Sequence, residues 1–112
     1  MFGRLFGLGG ASATAVDYDE TRRALEKGEC ALIDVREPGE FAAGHVAGSK
    51  NMPLSRFDPT KLPADRRVIL ICLSGARSAT AVRQAHAAGR GDVAHYSGGV
   101  AGWRRNGGAL SR

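Results

Sequence analysis

The chain has no apolar run approaching the roughly 18 residues that cross a bilayer, which excludes a membrane-spanning helix. It has no internal repeat and no low-complexity tract long enough to form a disordered tail, so repeat architectures are excluded too. Its formal charge is +5 and its pI about 9.9, yet the basic residues form no dense block. Arg22-Arg23, Arg66-Arg67 and Arg104-Arg105 are dispersed and carry no interleaved aromatic stripe, which argues against a nucleic-acid footprint. A modest positive field suits the steering of small sulfur or phosphorus oxyanions instead. The three histidines, His45, His86 and His95, share no metal-ligand spacing with the two cysteines, so neither a metal nor another cofactor is expected.

Cysteine is equally scarce. If Cys30 opens one parallel strand and Cys72 ends another, several residues at about 3.3 Å each separate them. That exceeds the roughly 7 Å within which a disulfide forms. Cys30 then reads as a small buried hydrophobe and Cys72 as a free thiol, which fits a cytoplasmic location.

What is present fits one domain: 112 residues, 43% of them hydrophobic. Arg4 precedes Leu5-Phe6-Gly7-Leu8-Gly9-Gly10, and Ala11-Ser12-Ala13 resembles a small-residue cleavage site. The apolar stretch is short and diluted by glycine, so residues 1–15 are expected to form a flexible arm rather than an export signal. Residues 16–108 would form the domain and residues 109–112 a tail.

Asp17 and Glu20 are three apart, as in a capping box, ahead of a helix that places Tyr18, Thr21 and Leu25 on one face and stops at Gly28. Residues 31–35 read as a buried strand and 37–44 as a brief helix that tolerates Pro38 in its first turn. A small strand at 51–53 precedes a turn at 54–57. The clearest strand is 68–71, and the best helix runs from Ala76 to Ala88, ending at Gly89. A strand at 93–96 leads through Gly98-Gly99 to a final helical turn anchored by Trp103. Apolar strands alternating with helices predict an α/β architecture with a mostly parallel sheet. Ligand sites in such sheets lie beyond the carboxyl ends of the strands, and Cys72 stands at one.

The segment around it, Val-Ile-Leu-Ile-Cys-Leu-Ser-Gly-Ala-Arg-Ser over 68–78, delivers Cys72 from a buried strand into a tight loop and then a helix. Successive N–H groups in such a turn form an anion nest, and the helix adds the positive end of its dipole. Both lower a thiol's pKa and favour the nucleophilic thiolate. Gly75 permits the sharp turn, and Ser74 and Ser78 offer hydroxyl donors. Arg77 adds a charge that the helix dipole disfavours, which suggests that the site holds an anion.

The run Cys72-Leu73-Ser74-Gly75-Ala76-Arg77-Ser78 resembles the C-x-x-G-x-R-S loop of single-domain rhodaneses. Asp34-Val35-Arg36-Glu37 through Glu40-Phe41, then Gly44-His45-Val46-Ala47-Gly48-Ser49 and Asn51-Met52-Pro53, is similar to that family's N-terminal signature. Gly98-Gly99 followed by Trp103 resembles its C-terminal one, and the matches follow the expected order over residues 17–107. The resemblance implies a five-stranded parallel sheet with helices on both faces, and sulfur transfer through a Cys72 persulfide. The donor would be thiosulfate or a low-molecular-weight or protein persulfide; the acceptor would be cyanide or a thiol, a protein acceptor included. Arg77 would orient anionic donors, while Leu73, Ser74, Gly75, Ala76 and Ser78 would bind substrate, the amides of 73–78 cradling the sulfur.

Two alternatives stand beside this reading. One is a non-catalytic persulfide carrier or interaction module. The other is a phosphatase of related fold, which would use C-x5-R rather than the shorter C-x4-R found here; the sequence offers no clear general acid for it, with only Asp58 and Asp65 left open. Asp34 and Arg36 are expected to brace the strand end against the short helix, with Glu40 as a candidate partner of Arg36. His45 is expected to be structural, its ring hydrogen-bonded under the loop. Arg90, where the family commonly has an aromatic residue, predicts looser packing or a shifted segment. Apolar Leu73 at the loop mouth and a single loop cation favour a less charged persulfide at least as well as thiosulfate. The C-G-S-G-[VT]-T loop of mercaptopyruvate-specific relatives is absent.

Overall fold

Five short strands align in parallel because the chain returns through a helix or turn between each strand and the next one in the sheet. The computed structural model describes residues 14–112. In chain order the elements are β1 (Ala15–Val16), α1 (Tyr18–Glu26), β2 (Cys30–Asp34), α2 (Pro38–Ala43), β3 (His45–Val46) and β4 (Lys50–Asn51). Two single 3-10 turns follow, Leu54–Arg56 and Pro59–Lys61. Then come β5 (Arg67–Ile71), α3 (Ala76–Ala87), β6 (Ala94–Tyr96), α4 (Gly99–Arg105) and β7 (Leu110–Ser111).

The main sheet has the order β1-β6-β5-β2-β4, and all its pairings are parallel. The central pair runs in register from Cys30 opposite Arg67 to Asp34 opposite Ile71. Alternation along the strands sends side chains to two cores. Leu32, Ile69, Ile71, Ala94 and Tyr96 meet α1 and α4 on one face. Ile33, Val68, Leu70, Cys72 and Val93 meet Ala81, Val82 and Ala85 of α3 on the other, with Leu54, Phe57 and Leu62 of the turn region. The expected α/β architecture with helices on both faces is therefore observed.

Several details differ from expectation. The expected arm over residues 1–15 and the weighed export segment fall, for residues 1–13, outside the described residues; Ala15 itself pairs with His95 in the sheet. The expected tail is partly ordered, since Leu110 and Ser111 pair antiparallel with Val46 and His45. Asp17 caps α1, its carboxylate accepting the Glu20 N–H at 2.9 Å, as the sequence implies. Thr21 and Ala24 are the buried residues of that helix, with Tyr18 and Leu25 packing at the margin.

Arg90 does not loosen its surroundings. Its guanidinium donates to the Leu62 and Pro63 carbonyls at 3.3 and 2.8 Å and pairs with Asp92 at 2.9 Å, stitching the chain after α3 to the turn before β5. Trp103 anchors α4, packing edge-on against Tyr18 at 4.9 Å and donating its indole N–H to the Ala109 carbonyl at 3.1 Å. Among the described residues, no helix is long and apolar enough to cross a membrane.

Candidate active site

Cys72 follows β5 directly, and its side chain enters the core beneath α3 with the residue only 1% exposed. The next three residues turn the chain into α3, whose N-terminal boundary is Gly75 at φ 106°. A left-handed backbone there favours glycine, and a Cβ would lie 2.5 Å from the Ser97 carbonyl oxygen. The turn therefore has no room for a side chain. It closes tightly enough to bring the Gly75 N–H to 3.1 Å from the Cys72 Sγ.

The last helix sets the direction of the other amides. Val100 N–H donates to the Cys72 carbonyl at 2.8 Å and Ala101 N–H to the Leu73 carbonyl at 3.1 Å. In a planar trans peptide the N–H points opposite to the C=O. Carbonyls turned towards α4 thus direct the amides of Leu73 and Ser74 the other way, and the Ser74 amide reaches the sulfur. Gly99 allows this approach, because a Cβ there would collide with the Leu73 carbonyl. Gly99 is thus in direct contact with the cysteine loop.

Burial alone would raise the pKa of the Cys72 thiol. Hydrogen bonds from the Ser78 hydroxyl and from the amides of Ser78, Gly75 and Ser74 outweigh it, and the thiol lies below its ordinary value. Ser78 is fully buried, its Oγ 3.5 Å from the sulfur. The structure thus divides the loop into two parts. Gly75 and Ser78 form the floor around the sulfur; Leu73, Ser74 and Ala76 are exposed at the mouth, Leu73 by 45%.

Arg77 stands in a different setting from the one its sequence suggests. Both its terminal nitrogens bond the Glu40 carboxylate, at 2.7 and 3.0 Å, and each side chain is about one-third exposed. The Arg77 hydrogen bonds, a backbone N–H from Glu37 and the nearby arginines hold the Glu40 carboxyl at about 2 against a burial effect that would raise it. Glu40 is therefore the partner of Arg77, not of Arg36. Arg36 turns back on Asp34, donating from Nη2 at 2.8 Å and from Nε at 3.0 Å. It also reaches the Gly44 carbonyl at 2.7 Å. Asp34 is wholly buried and Arg36 nearly so, and the pair braces the end of β2 against the exit of α2.

The remaining candidates fall outside this group. His45 stacks on Phe41 at 3.8 Å, its Nδ1 2.9 Å from the Phe41 carbonyl oxygen, so its partner is the short helix rather than the cysteine loop. His86 bonds the Val93 carbonyl at 2.8 Å. Asp58 accepts from the backbone and hydroxyl of Thr60, which hold its carboxyl below its ordinary value and so ionised at neutral pH. Asp65 is exposed. Cys30 and Cys72 are both free thiols. Among the described residues, no group of three or more His, Cys, Asp and Glu side chains converges as a metal site.

One participant is missed by sequence reasoning. His95 is buried, and its Nδ1 lies 2.7 Å from the Ser78 Oγ. Its position in β6 was a detectable signal. Two residues beyond Val93, it occupies an apolar slot on the face that holds Cys72.

A doubly covered parallel sheet delivering a thiol into a ring of amides defines a cysteine-centred α/β protein. The chain belongs to the rhodanese-like domain family, whose profile matches residues 17–106. It is similar to the probable adenylyltransferase/sulfurtransferase MoeZ of Mycobacterium tuberculosis, 36% identical over 100 residues that make up 85% of this chain and 26% of that protein. The chain thus spans less than half the length of the first relatives it matches. A sulfurtransferase of Allochromatium vinosum is 32% identical over 89 residues, 78% of this chain and 83% of the relative. Among solved structures, the rhodanese-related protein of Thermoplasma volcanium superposes with a TM-score of 0.77 at 28% identity, covering 87% of this chain and 96% of that one. The proteins it resembles thus include two named as sulfurtransferases.

Proposed function

We propose that Cys72 is the nucleophile and sulfur carrier of a sulfurtransferase whose preferred donor is a persulfide of low charge. The Cys72 thiolate attacks the outer sulfur of a donor R–S–SH. The donor S–S bond breaks, R–S⁻ leaves with the bonding pair, and Cys72 keeps the sulfur as Cys72–S–SH. A thiolate or cyanide acceptor then attacks that outer sulfur, and the Cys72 thiolate departs. Each step exchanges one S–S or S–C bond for another, so no external oxidant or reductant enters. The loop amides serve both steps by favouring the anionic sulfur, as an oxyanion hole favours developing charge.

The observation that carries this reading is the amide and hydroxyl cradle on the Cys72 sulfur, with Gly75 N–H at 3.1 Å. The donor preference rests on the Glu40–Arg77 pair. A dianion such as thiosulfate must meet a cation already matched by a carboxylate, beside exposed apolar Leu73. The same pairing weighs against phosphatase chemistry, which needs its arginine free for a phosphate dianion. Asp58, held ionised by Thr60, is poorly suited to act as general acid.

The test charges the protein separately with glutathione persulfide and with thiosulfate, following a mass increase of about 32 Da, one sulfur atom on the thiolate. Glutathione persulfide should charge Cys72 faster, and Glu40→Gln should narrow the gap by speeding thiosulfate. Charging without turnover to cyanide or thiols would favour the carrier reading. No adduct with either donor, or full turnover in Cys72→Ser, would overturn the proposal.

A further inference from the structure

The neutral sulfur cradle has one buried ionisable neighbour that the transfer steps do not use. His95 projects from β6 onto the α3 face, where its strand neighbours are Leu70 and Ala15. Apolar Val93, Leu70, Ala81 and Val82 share that face. A ring that polar in that cluster needs a hydrogen-bonding partner. The partner is the Ser78 hydroxyl at 2.7 Å, the only hydrogen bond of the His95 side chain among the described residues. Burial disfavours the imidazolium and lowers the ring's pKa below its ordinary value, so the neutral form prevails at pH 7.

A neutral imidazole has one N–H, and its position matters here. The Ser78 hydroxyl has one proton and three neighbours: the Cys72 sulfur at 3.5 Å, the Gly75 carbonyl at 3.2 Å and the His95 Nδ1 at 2.7 Å. The Gly75 carbonyl already accepts the Ala79 N–H at 3.0 Å. If Nδ1 were bare, it would draw the Ser78 proton away from the sulfur. If Nδ1 carries the proton, it donates to Oγ and frees the hydroxyl proton for the Gly75 carbonyl or the thiolate, of which the anionic sulfur is the stronger acceptor.

We infer that His95 is a positioning residue for the reactive sulfur: its Nδ1–H tautomer orients Ser78 so that the hydroxyl donates to the Cys72 thiolate. No proton changes owner in this arrangement. The chain Nδ1–H to Oγ–H to Sγ⁻ is a fixed donor relay that favours the anionic sulfur before attack and again as it departs.

The inference rests on Cys72 being the nucleophile, but its test needs no turnover. His95→Leu keeps the apolar slot filled and removes the donor, while His95→Asn places an amide N–H near the Nδ1 position. Thiolate absorbance near 240 nm, titrated against pH, and the rate of alkylation by iodoacetamide at pH 7 are read on each. His95→Leu should move the Cys72 titration upward and slow alkylation by about tenfold, the scale of one hydrogen bond to a charged group. His95→Asn should restore most of the rate. Adding Ser78→Ala to His95→Leu should slow it no further, since both act through one hydroxyl.

Wild-type titration and alkylation in His95→Leu would overturn the inference, as would fully additive losses in the double variant. Imidazole nitrogen NMR on the unaltered protein decides even if a variant fails to fold. A protonated Nδ1 supports the relay, and a bare Nδ1 with protonated Nε2 refutes it. Failure of sulfur transfer in an otherwise normal titration would count against the proposed function and leave the relay standing.

Discussion

Cys30 and Cys72 lie at opposite ends of the central strand pair and are about equally buried, at 3% and 1% exposed. Burial nevertheless leaves them with opposite chemistry. At the entry end, burial raises the Cys30 thiol pKa, and the neighbouring Arg67 and Arg66 offset it only in part. At the exit end, burial acts on Cys72 in the same direction, but one hydroxyl and three amides reverse it. Hydrogen-bond donors fixed by a loop, rather than burial, therefore decide in which direction each thiol's pKa moves. The lesson extends to Arg77. The loop's cation looks like the activating charge, but its closest partner is Glu40.

The sharpest way to break this comparison is to alkylate both thiols in the folded protein at pH 7 and follow each cysteine peptide by mass spectrometry. Cys72 should react on the order of 100-fold faster than Cys30, because the thiolate is the nucleophile and only one site favours it. Equal rates would show that burial governs both.

Gly75→Ala attacks the cradle itself. A side chain at φ 106° beside the Ser97 carbonyl is strained, and relief must move the amide that reaches the sulfur. A cost of about 1–3 kcal/mol is expected, with Cys72 alkylation slowed about tenfold and Cys30 unchanged. A lower melting temperature with unaltered Cys72 reactivity would show that this amide does not activate the thiol.

The smallest effect lies in the pH dependence of stability, and it differs in sign between the two cysteines. Cys72 has a folded pKa below its unfolded value, so its contribution is full above the unfolded thiol pKa and is lost as pH falls through the folded one. Cys30 has a folded pKa above its unfolded value, so stability falls as pH rises past the unfolded thiol pKa. Chemical denaturation of Cys72→Ala and Cys30→Ala across pH 6 to about 10.5 should show wild type gaining on the first variant as pH rises and losing its margin over the second at the alkaline end. Parallel curves would remove the distinction.

Much of this contrast was legible in the sequence because it is local. The apolar run 68–71, the loop counted as C-x4-R and the helix from Ala76 place an activated cysteine at a strand end without any long-range contact. The fold class followed from the same alternation. What escaped was pairing across distance. Glu40 and Arg77 are 37 positions apart, and the motif order could not say which arginine the carboxylate would take. Asp34 and Arg36 are neighbours, and their buried position lets the closer carboxylate win. His95 was hidden for a different reason. Its strand was correctly placed, but its partner Ser78 had been read only as part of the loop, so nothing linked the two. Arg90 was misread through the aromatic residue it replaces, whereas its guanidinium holds together two stretches of backbone that a ring could only have packed against.

The bonds from Val100 and Ala101 to the carbonyls of Cys72 and Leu73 also set a timetable. In chain order β5 and the cysteine loop precede α4. Until that helix docks, the Cys72 and Leu73 carbonyls lack the N–H donors that turn them outward and direct the Leu73 and Ser74 amides the other way. The donors around Cys72 are therefore set in place by contacts made late in the chain as well as by the loop itself.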